Sequence, residues 1–182
     1  MDFKVIDNSI NEEHQNLIIK ELLETKNFSW FFCEDITTTK NTKQKRPAFS
    51  HYFISDKKVN SSFVNLVLPI VKPYTNNTII QCRSFLQLPL NSNLISSDYD
   101  TPHVDFNYPH TVYLYYVKDS DGDTLFLKDN KIVKRVTPKK GRLVIFDGSI
   151  LHTAEQPKQD IRCIINFDVI KSIDTKQVKC YK

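Results

Sequence analysis

The chain has 182 residues, of which 40% are hydrophobic and 25% are charged, and its formal net charge is +4. This length suits one domain with a hydrophobic core and is short for two, so we predict a single domain over residues 1–182. The mild positive charge is compatible with an acidic or nucleic-acid ligand but requires neither. No apolar run approaches the roughly 20 residues of a membrane span, so we do not expect a helix that crosses a membrane.

Cysteine spacing and the N-terminal residues both favour a cytoplasmic protein. The four cysteines (Cys33, Cys82, Cys163 and Cys180) are widely separated and form no CxxC pair. Such spacing argues against a zinc cluster or a disulfide framework and fits reduced thiols. The first residues also lack the basic-then-apolar order of a signal peptide.

The N-terminal part of the chain predicts helical support for a later core, over about residues 1–75. A short strand is expected over Asp2–Ile6 and an amphipathic helix over Ile10–Thr25. Ser9 and Glu12 have the spacing of a capping box, in which the serine accepts the amide of the third helical residue. A second helix is expected over Phe63–Val71, ending or kinking near its proline.

A polar, basic stretch lies between these two helices. Thr37–Arg46 contains no aromatic residue and predicts a loop, and the sequence leaves open whether Lys40–Arg46 acts as a lid over a site. His51 could border the mouth of such a site. A packed or solvated histidine is the more common case.

From Thr78 onward the pattern changes to short apolar or alternating runs, separated by turns that contain all three glycines. Many short strands with turns between them indicate a mainly β protein with a sandwich or jelly-roll core over about residues 78–170. The predicted strands are Ile79–Leu88, His103–Phe106, Thr111–Val117, Thr124–Leu127, Ile132–Val136, Arg142–Phe146 and Arg162–Val169.

Two histidines and an aspartate form the most informative pattern. On a strand, His103 and Asp105 would point to the same side, and His152 follows 47 residues after Asp105. Two imidazoles and one carboxylate on one side of a metal leave its other positions open, which is the ligand set of non-haem Fe(II) oxygenases. A single HxD tripeptide is weak evidence, and His152 alone could be an ordinary hydrogen-bonded residue.

Arg162 strengthens the metal hypothesis. It begins the apolar run Arg162–Val169, in which Asn166 shares its face. A guanidinium at the head of a core strand is unfavourable unless it meets an anion, and a bidentate carboxylate suits its planar shape. That carboxylate could belong to a ligand, or to an Asp or Glu of the chain.

In combination these residues resemble the Fe(II)/2-oxoglutarate-dependent dioxygenase superfamily, and most closely its prolyl-4-hydroxylase-like branch. Order and spacing agree over about residues 80–170. The matching pieces are the His103-Val104-Asp105 tripeptide, the strand around Tyr115-Tyr116-Val117, the Asp121–Thr124 turn, the run Pro138–Phe146, His152 and Arg162.

The resemblance implies a double-stranded β-helix (a jelly-roll, cupin-like core) with Fe(II) held by His103, Asp105 and His152. It further implies O2 and 2-oxoglutarate as cosubstrates, with ascorbate as an optional reductant. Arg162 would hold the distal carboxylate of 2-oxoglutarate.

The resemblance also suggests three further contacts to 2-oxoglutarate. Tyr116 corresponds to a family tyrosine that hydrogen-bonds the cosubstrate. Relatives often carry a polar residue followed two positions later by another such tyrosine, whereas here the stretch reads Gln87-Leu88-Pro89. Gln87 would keep the polar contact, and Asn166 would compensate for the missing tyrosine.

Three functions follow from these patterns. The leading hypothesis is a hydroxylase of peptides or proteins that acts on a prolyl-type side chain. The second is an oxidative demethylase of nucleic acids, which is less favoured because base-flipping enzymes need a cationic groove beside stacking aromatics. The third is a cupin-like module that binds a metal or small acid without catalysis. The oligomeric state remains open.

Overall fold

A computed structural model describes residues 3–36, 46–90 and 99–171. The predicted loop Thr37–Arg46 lies outside the described residues except for Arg46, and Cys180 lies outside them as well. None of the helices in the described ranges has both the length and the apolar character needed to cross a membrane.

The N-terminal part of the chain, up to Ile70, contains both predicted helices and also strands where the sequence analysis expected only helical support. Strand β1 (Phe3–Ile6) precedes helix α1 (Glu12–Ile19), which continues as a π-helical turn over Lys20–Glu24. The second helix is shorter than predicted: α2 (Val64–Val67) passes into a 3₁₀ turn, Leu68–Ile70, at the proline. The unpredicted strands are β2 (Phe31–Cys33), β3 (Ala48–Ser55) and β4 (Lys58–Val59).

The capping-box prediction for α1 is wrong. Asn11 is the N-cap, and its side-chain oxygen accepts the backbone N–H of His14 at 2.8 Å. Ser9 instead donates from Oγ to the carbonyl of Gly141 at 3.1 Å. The helix therefore begins two residues later, because an Asn at that position satisfies the first-turn amide equally well.

The C-terminal part confirms the predicted mainly β core. Its strands are β5 (Thr78–Gln87), β6 (Thr111–Tyr116), β7 (Thr124–Lys128), β8 (Lys131–Val136), β9 (Leu143–Asp147), β10 (His152–Ala154) and β11 (Arg162–Ile170).

Two antiparallel sheets face each other in the described residues. The larger has the order β1-β9-β6-β11-β5-β3-β2 with β4 beside β3, and the smaller has the order β10-β7-β8. Alternate residues of β6, β9 and β11 point either between the sheets or toward the helices. Strand β11 is consequently buried on both faces, which explains its continuous apolar run.

Residues 103–106 do not form the predicted strand. His103 makes a single bridge to His152, with both backbone N–H···O bonds between them, and the chain then bends at Asp105. Pro102 contributes to this irregularity, because it has no N–H with which to extend a ladder. The bend, and not strand alternation, sets the direction of the Asp105 side chain.

Candidate metal centre

The three predicted ligands converge in the structure. His103 lies at the bridge described above, His152 begins β10, and Asp105 lies in the bend between β5 and β6. Their ligand atoms are all within 4.8 Å of one another. The Nε2 atom of His152 is 3.5 Å from Asp105 Oδ2, and that of His103 is 4.0 Å from Oδ1.

Hydrogen bonds behind both imidazoles fix which nitrogen faces Asp105. The Nδ1 atom of His103 is 3.1 Å from the carbonyl of Thr101, and that of His152 is 3.0 Å from the carbonyl of Ile150. A carbonyl only accepts, so each Nδ1 carries the proton and each Nε2 presents its lone pair to the centre. Burial lowers the pKa of His103, which favours the neutral imidazole that a metal requires.

Asp105 is held by Arg83, which the sequence analysis did not assign to the site, and by Asn166, which it assigned to 2-oxoglutarate. Arg83 of β5 donates from Nη2 to Asp105 Oδ1 at 2.5 Å, and Asn166 of β11 donates to Oδ2 at 3.4 Å. Burial alone would raise the pKa of Asp105, but its contact with the His152 ring and the charge of Arg83 hold it well below its ordinary value. The carboxylate is therefore ionised and oriented.

This donor set fits a divalent transition metal. Two atoms bound to one metal at about 2.1 Å and at right angles lie about 3 Å apart, so the observed separations need only a small inward shift. Two imidazoles and one ionised carboxylate on one side of a point are the ligand set of the facial triad of non-haem Fe(II) sites. The bonds from both Nδ1 atoms to backbone carbonyls are the outer-shell support that metal-bound histidines usually have.

A cavity extends from these three residues between the two sheets, and Arg162 lines its other end. The Arg162 side chain donates to the carbonyl of Gly122 at 3.0 Å, Gln87 Oε1 at 2.9 Å and Thr124 Oγ1 at 2.8 Å. Arg162 is only 4% exposed, and burial lowers its pKa. Among the described residues no Asp or Glu oxygen lies within 4.0 Å of it, so the alternative of an internal salt bridge is not observed.

The remaining predicted residues lie around Arg162 in different ways. Gln87 and Asn166 line the cavity together with the metal-site residues. Tyr116 is fully buried behind the cavity wall, where its hydroxyl donates to Thr124 Oγ1 at 2.7 Å. Tyr116 therefore does not line the cavity, but it contacts Thr124, which does.

Sequence reasoning missed several polar residues that line this cavity, among them Arg83, Thr124 and Asp100. A signal existed for Arg83, because it is the one charged residue of the predicted strand Ile79–Leu88 and shares a strand face with Gln87. Thr124 is the last residue of the Asp121–Thr124 turn, which was one of the pieces that resemble the family. Nothing in the sequence distinguishes Asp100 from other loop aspartates.

A second buried group lies beneath the metal-site residues. His110 Nε2 is 3.8 Å from Asp168 Oδ1, and both side chains are inaccessible to solvent. Burial and the nearby Asp105 raise the pKa of Asp168 to about 8. His51 is not part of the site: its ring nitrogens contact the carbonyl of Ser29 and the hydroxyl of Ser61.

Comparison with known proteins gives similarity in structure only. No family model matches the chain, and no curated protein matches it by sequence. An oxidoreductase of the 2OG-Fe(II) oxygenase family from Burkholderia pseudomallei matches with a TM-score of 0.69 at 10% identity, over 92% of this chain and 84% of that one. The chain has the fold of the 2-oxoglutarate/Fe(II) oxygenases.

Two further structures show the range of proteins with this oxygenase fold. A prolyl hydroxylase from Trichoplax adhaerens, in complex with a hypoxia inducible factor peptide fragment, has a TM-score of 0.64 at 15% identity, over 92% of this chain and 83% of that one. The α-ketoglutarate-dependent epimerase SnoN of nogalamycin biosynthesis has a TM-score of 0.62 at 10% identity, over 93% and 78%. The predicted jelly-roll, double-stranded β-helix core is confirmed.

Proposed function

We propose that this protein is an Fe(II)- and 2-oxoglutarate-dependent oxygenase. One observation carries the proposal: a two-histidine, one-carboxylate centre lines the same cavity as a buried arginine that pairs with no carboxylate of the described residues. A ligand that chelates the metal at one end and carries a carboxylate at the other would satisfy both. 2-Oxoglutarate has this chemistry.

His103, Asp105 and His152 would hold the iron, and this set of three ligands leaves positions for other molecules. When bound, the iron would supply the chemistry by which O2 oxidises 2-oxoglutarate to succinate and CO2 and transfers the second oxygen atom to a substrate C–H bond. The backbone carbonyls behind both imidazoles keep each Nε2 unprotonated and aimed at the centre. Arg83 donates to Asp105 Oδ1 and keeps this carboxylate in place.

Arg162 would bind the distal carboxylate of the cosubstrate. Its described hydrogen bonds use three N–H groups, and a guanidinium has five, so one on each terminal nitrogen is available to a carboxylate. Thr124 Oγ1 already accepts from Tyr116 and Arg162, so its own hydroxyl proton is free to donate to the same carboxylate. In this proposal Tyr116 is a positioning residue, while Gln87 and Asn166 complete the polar lining.

A prolyl-type peptide or protein is the substrate that we favour. The Trichoplax protein with this fold is a prolyl hydroxylase captured with a peptide fragment, and its likeness supports a peptide substrate here. SnoN has the same fold and is an epimerase, so hydroxylation needs its own test. We also propose a single cytoplasmic domain, which is consistent with the free state of Cys33, Cys82 and Cys163.

The direct test is succinate production by protein that is purified without oxygen and then given Fe(II), 2-oxoglutarate and air. We expect slow succinate release even without substrate, and its loss in His103→Ala and Asp105→Ala. His14→Ala is a matched control, because that side chain bonds the carbonyl of Leu66 away from the cavity. Metal binding without any turnover would instead support a cupin-like binding module.

The substrate test is mass spectrometry of a proline-containing peptide panel after the same incubation. Hydroxylation adds the mass of one oxygen atom, whereas epimerisation leaves the mass unchanged. Methylated oligonucleotides incubated in parallel test the demethylase alternative. Oxidation of oligonucleotides without any change in the peptides would refute the peptide assignment.

A further inference from the structure

The cavity contains a carboxylate of its own at the end where Arg162 lies. In the pairing of β10 with β7, His152 and Ala154 are two residues apart, and Ala154 lies opposite Thr124. On the other side of β10, the N–H of Asp100 donates to the carbonyl of Ala154 at 2.8 Å. Asp100 therefore lies level with Thr124 and Arg162, roughly 7 Å along the strand from His152.

One amide connects this carboxylate to the arginine. Gln87 Nε2 donates to Asp100 Oδ2 at 3.1 Å, and Gln87 Oε1 accepts from Arg162 Nη1 at 2.9 Å. The orientation of the amide is fixed, because its donor faces an anion and its acceptor faces a cation. The other oxygen of Asp100 lies 3.4 Å from Nε of Arg46, and the Asp100 carbonyl accepts from Thr153 Oγ1 at 2.6 Å.

The ionised form of Asp100 is costly where it lies. Asp100 is 6% exposed, and burial raises its pKa to about 6 although Arg46 and Arg162 oppose the shift. A second carboxylate placed on Arg162 would add like-charge repulsion to this desolvation cost. A longer dicarboxylic acid that keeps its metal-chelating end in place would press its carboxylate further into the end of the cavity that Arg162, Gln87 and Asp100 share.

We propose that Asp100 is a specificity-determining residue, which lowers the affinity of the cavity for dicarboxylic acids and excludes those longer than 2-oxoglutarate. The inference rests on the proposed function, because it takes the metal-to-Arg162 direction as the axis of the bound acid. Asp100 acts through its charge and not through a contact that the acid needs. Neutralising it should therefore tighten binding, the opposite of what removing a binding residue does.

The test is calorimetry on the whole, Mn(II)-loaded protein without oxygen, with 2-oxoglutarate and 2-oxoadipate as ligands. For Asp100→Asn we expect at least about a fivefold gain in affinity for 2-oxoglutarate and a larger gain for 2-oxoadipate, because a unit charge that one amide separates from Arg162 is removed at intermediate dielectric. Asp129→Asn is the matched control: Asp129 is exposed at the turn between β7 and β8, outside the cavity lining, and its loss changes the net charge equally. Its affinities should stay within about twofold of wild type.

The outcomes separate the inference from the proposed function. If wild type binds 2-oxoglutarate and Asp100→Asn binds it equally or more weakly, the role of Asp100 is refuted and the cosubstrate assignment stands. If no variant binds 2-oxoglutarate, the proposed function fails and the inference fails with it. If Asp100→Asn does not fold, wild type alone still tests the exclusion of longer acids. Equal affinity of wild type for 2-oxoadipate and 2-oxoglutarate would overturn it.

Discussion

Replacing Arg162 by Gln should separate cosubstrate binding from metal binding. The substitution removes the two N–H groups that would reach a carboxylate, and each hydrogen bond to a charged group contributes about 1.5–3 kcal/mol. Losing both corresponds to about 3–6 kcal/mol, or roughly a 10²–10⁴-fold loss of affinity for 2-oxoglutarate. None of the three described hydrogen-bond partners of Arg162 is a predicted metal ligand, so Mn(II) affinity should change by less than about threefold.

The assay for this prediction combines two titrations of the same oxygen-free protein. One follows Mn(II) binding by electron paramagnetic resonance, and the other follows 2-oxoglutarate binding to the Mn(II) form by calorimetry. Arg162→Lys is the matched variant, because it keeps the charge and loses the planar fork, so its affinity should fall between wild type and Arg162→Gln. A collapse of Mn(II) affinity, or wild-type 2-oxoglutarate affinity in Arg162→Gln, would refute the assignment of Arg162.

Other predictions concern the groups around the metal-site residues. Arg83→Gln removes the cation that holds Asp105, and we expect Mn(II) affinity to fall about 10-fold; unchanged affinity would show that Asp105 needs no such support. A Cβ at Gly148 would lie 2.1 Å from His110 Nε2, so Gly148→Ala should lose about 1–3 kcal/mol in urea unfolding, with partial recovery in the double variant with His110→Ala. Burial and Asp105 raise the pKa of Asp168 to about 8. The folded state then binds more protons than the unfolded state, so the free energy of unfolding of the metal-free protein should fall as pH rises from about 4 to about 8. Asp168→Asn should flatten that dependence. Parallel pH curves for wild type and Asp168→Asn would count against the raised pKa of Asp168.

The sequence was sufficient for the parts of the molecule that depend on residue type and short-range pattern. Strands β5 to β9 and β11 follow predicted runs within one or two residues. All of them except the exposed edge strand β8 bury alternate or successive apolar side chains. The convergence of His103, Asp105 and His152 was expected from the ligand chemistry. The reason given for it was wrong in one respect, since a bend after a single bridge replaces the expected strand.

The missed features depend on partners that are distant in sequence. Strand β3 mixes serine and histidine with aromatic residues, and its extended form is stabilised by pairing with β5, about 30 residues away. Arg83 became part of the site only when the bend turned Asp105 toward it. Asp100 gained its place from a backbone bond to Ala154, which no local pattern encodes.

The charge balance of the cavity explains why a dianionic ligand is favoured. Arg83 is neutralised by Asp105, and Arg46 by Asp100, which leaves Arg162 as a buried cation whose described partners are all neutral. A divalent metal at the triad would add two positive charges in the same enclosed space, where water screens poorly. A dicarboxylate would neutralise both ends of the cavity at once, whereas a monocarboxylate would leave one cation unmatched. The cavity should therefore bind 2-oxoglutarate far more tightly than pyruvate, which has the same metal-chelating end and lacks the distal carboxylate. Equal affinities for these two acids in the Mn(II) protein would mean that the positive charge of Arg162 has another purpose.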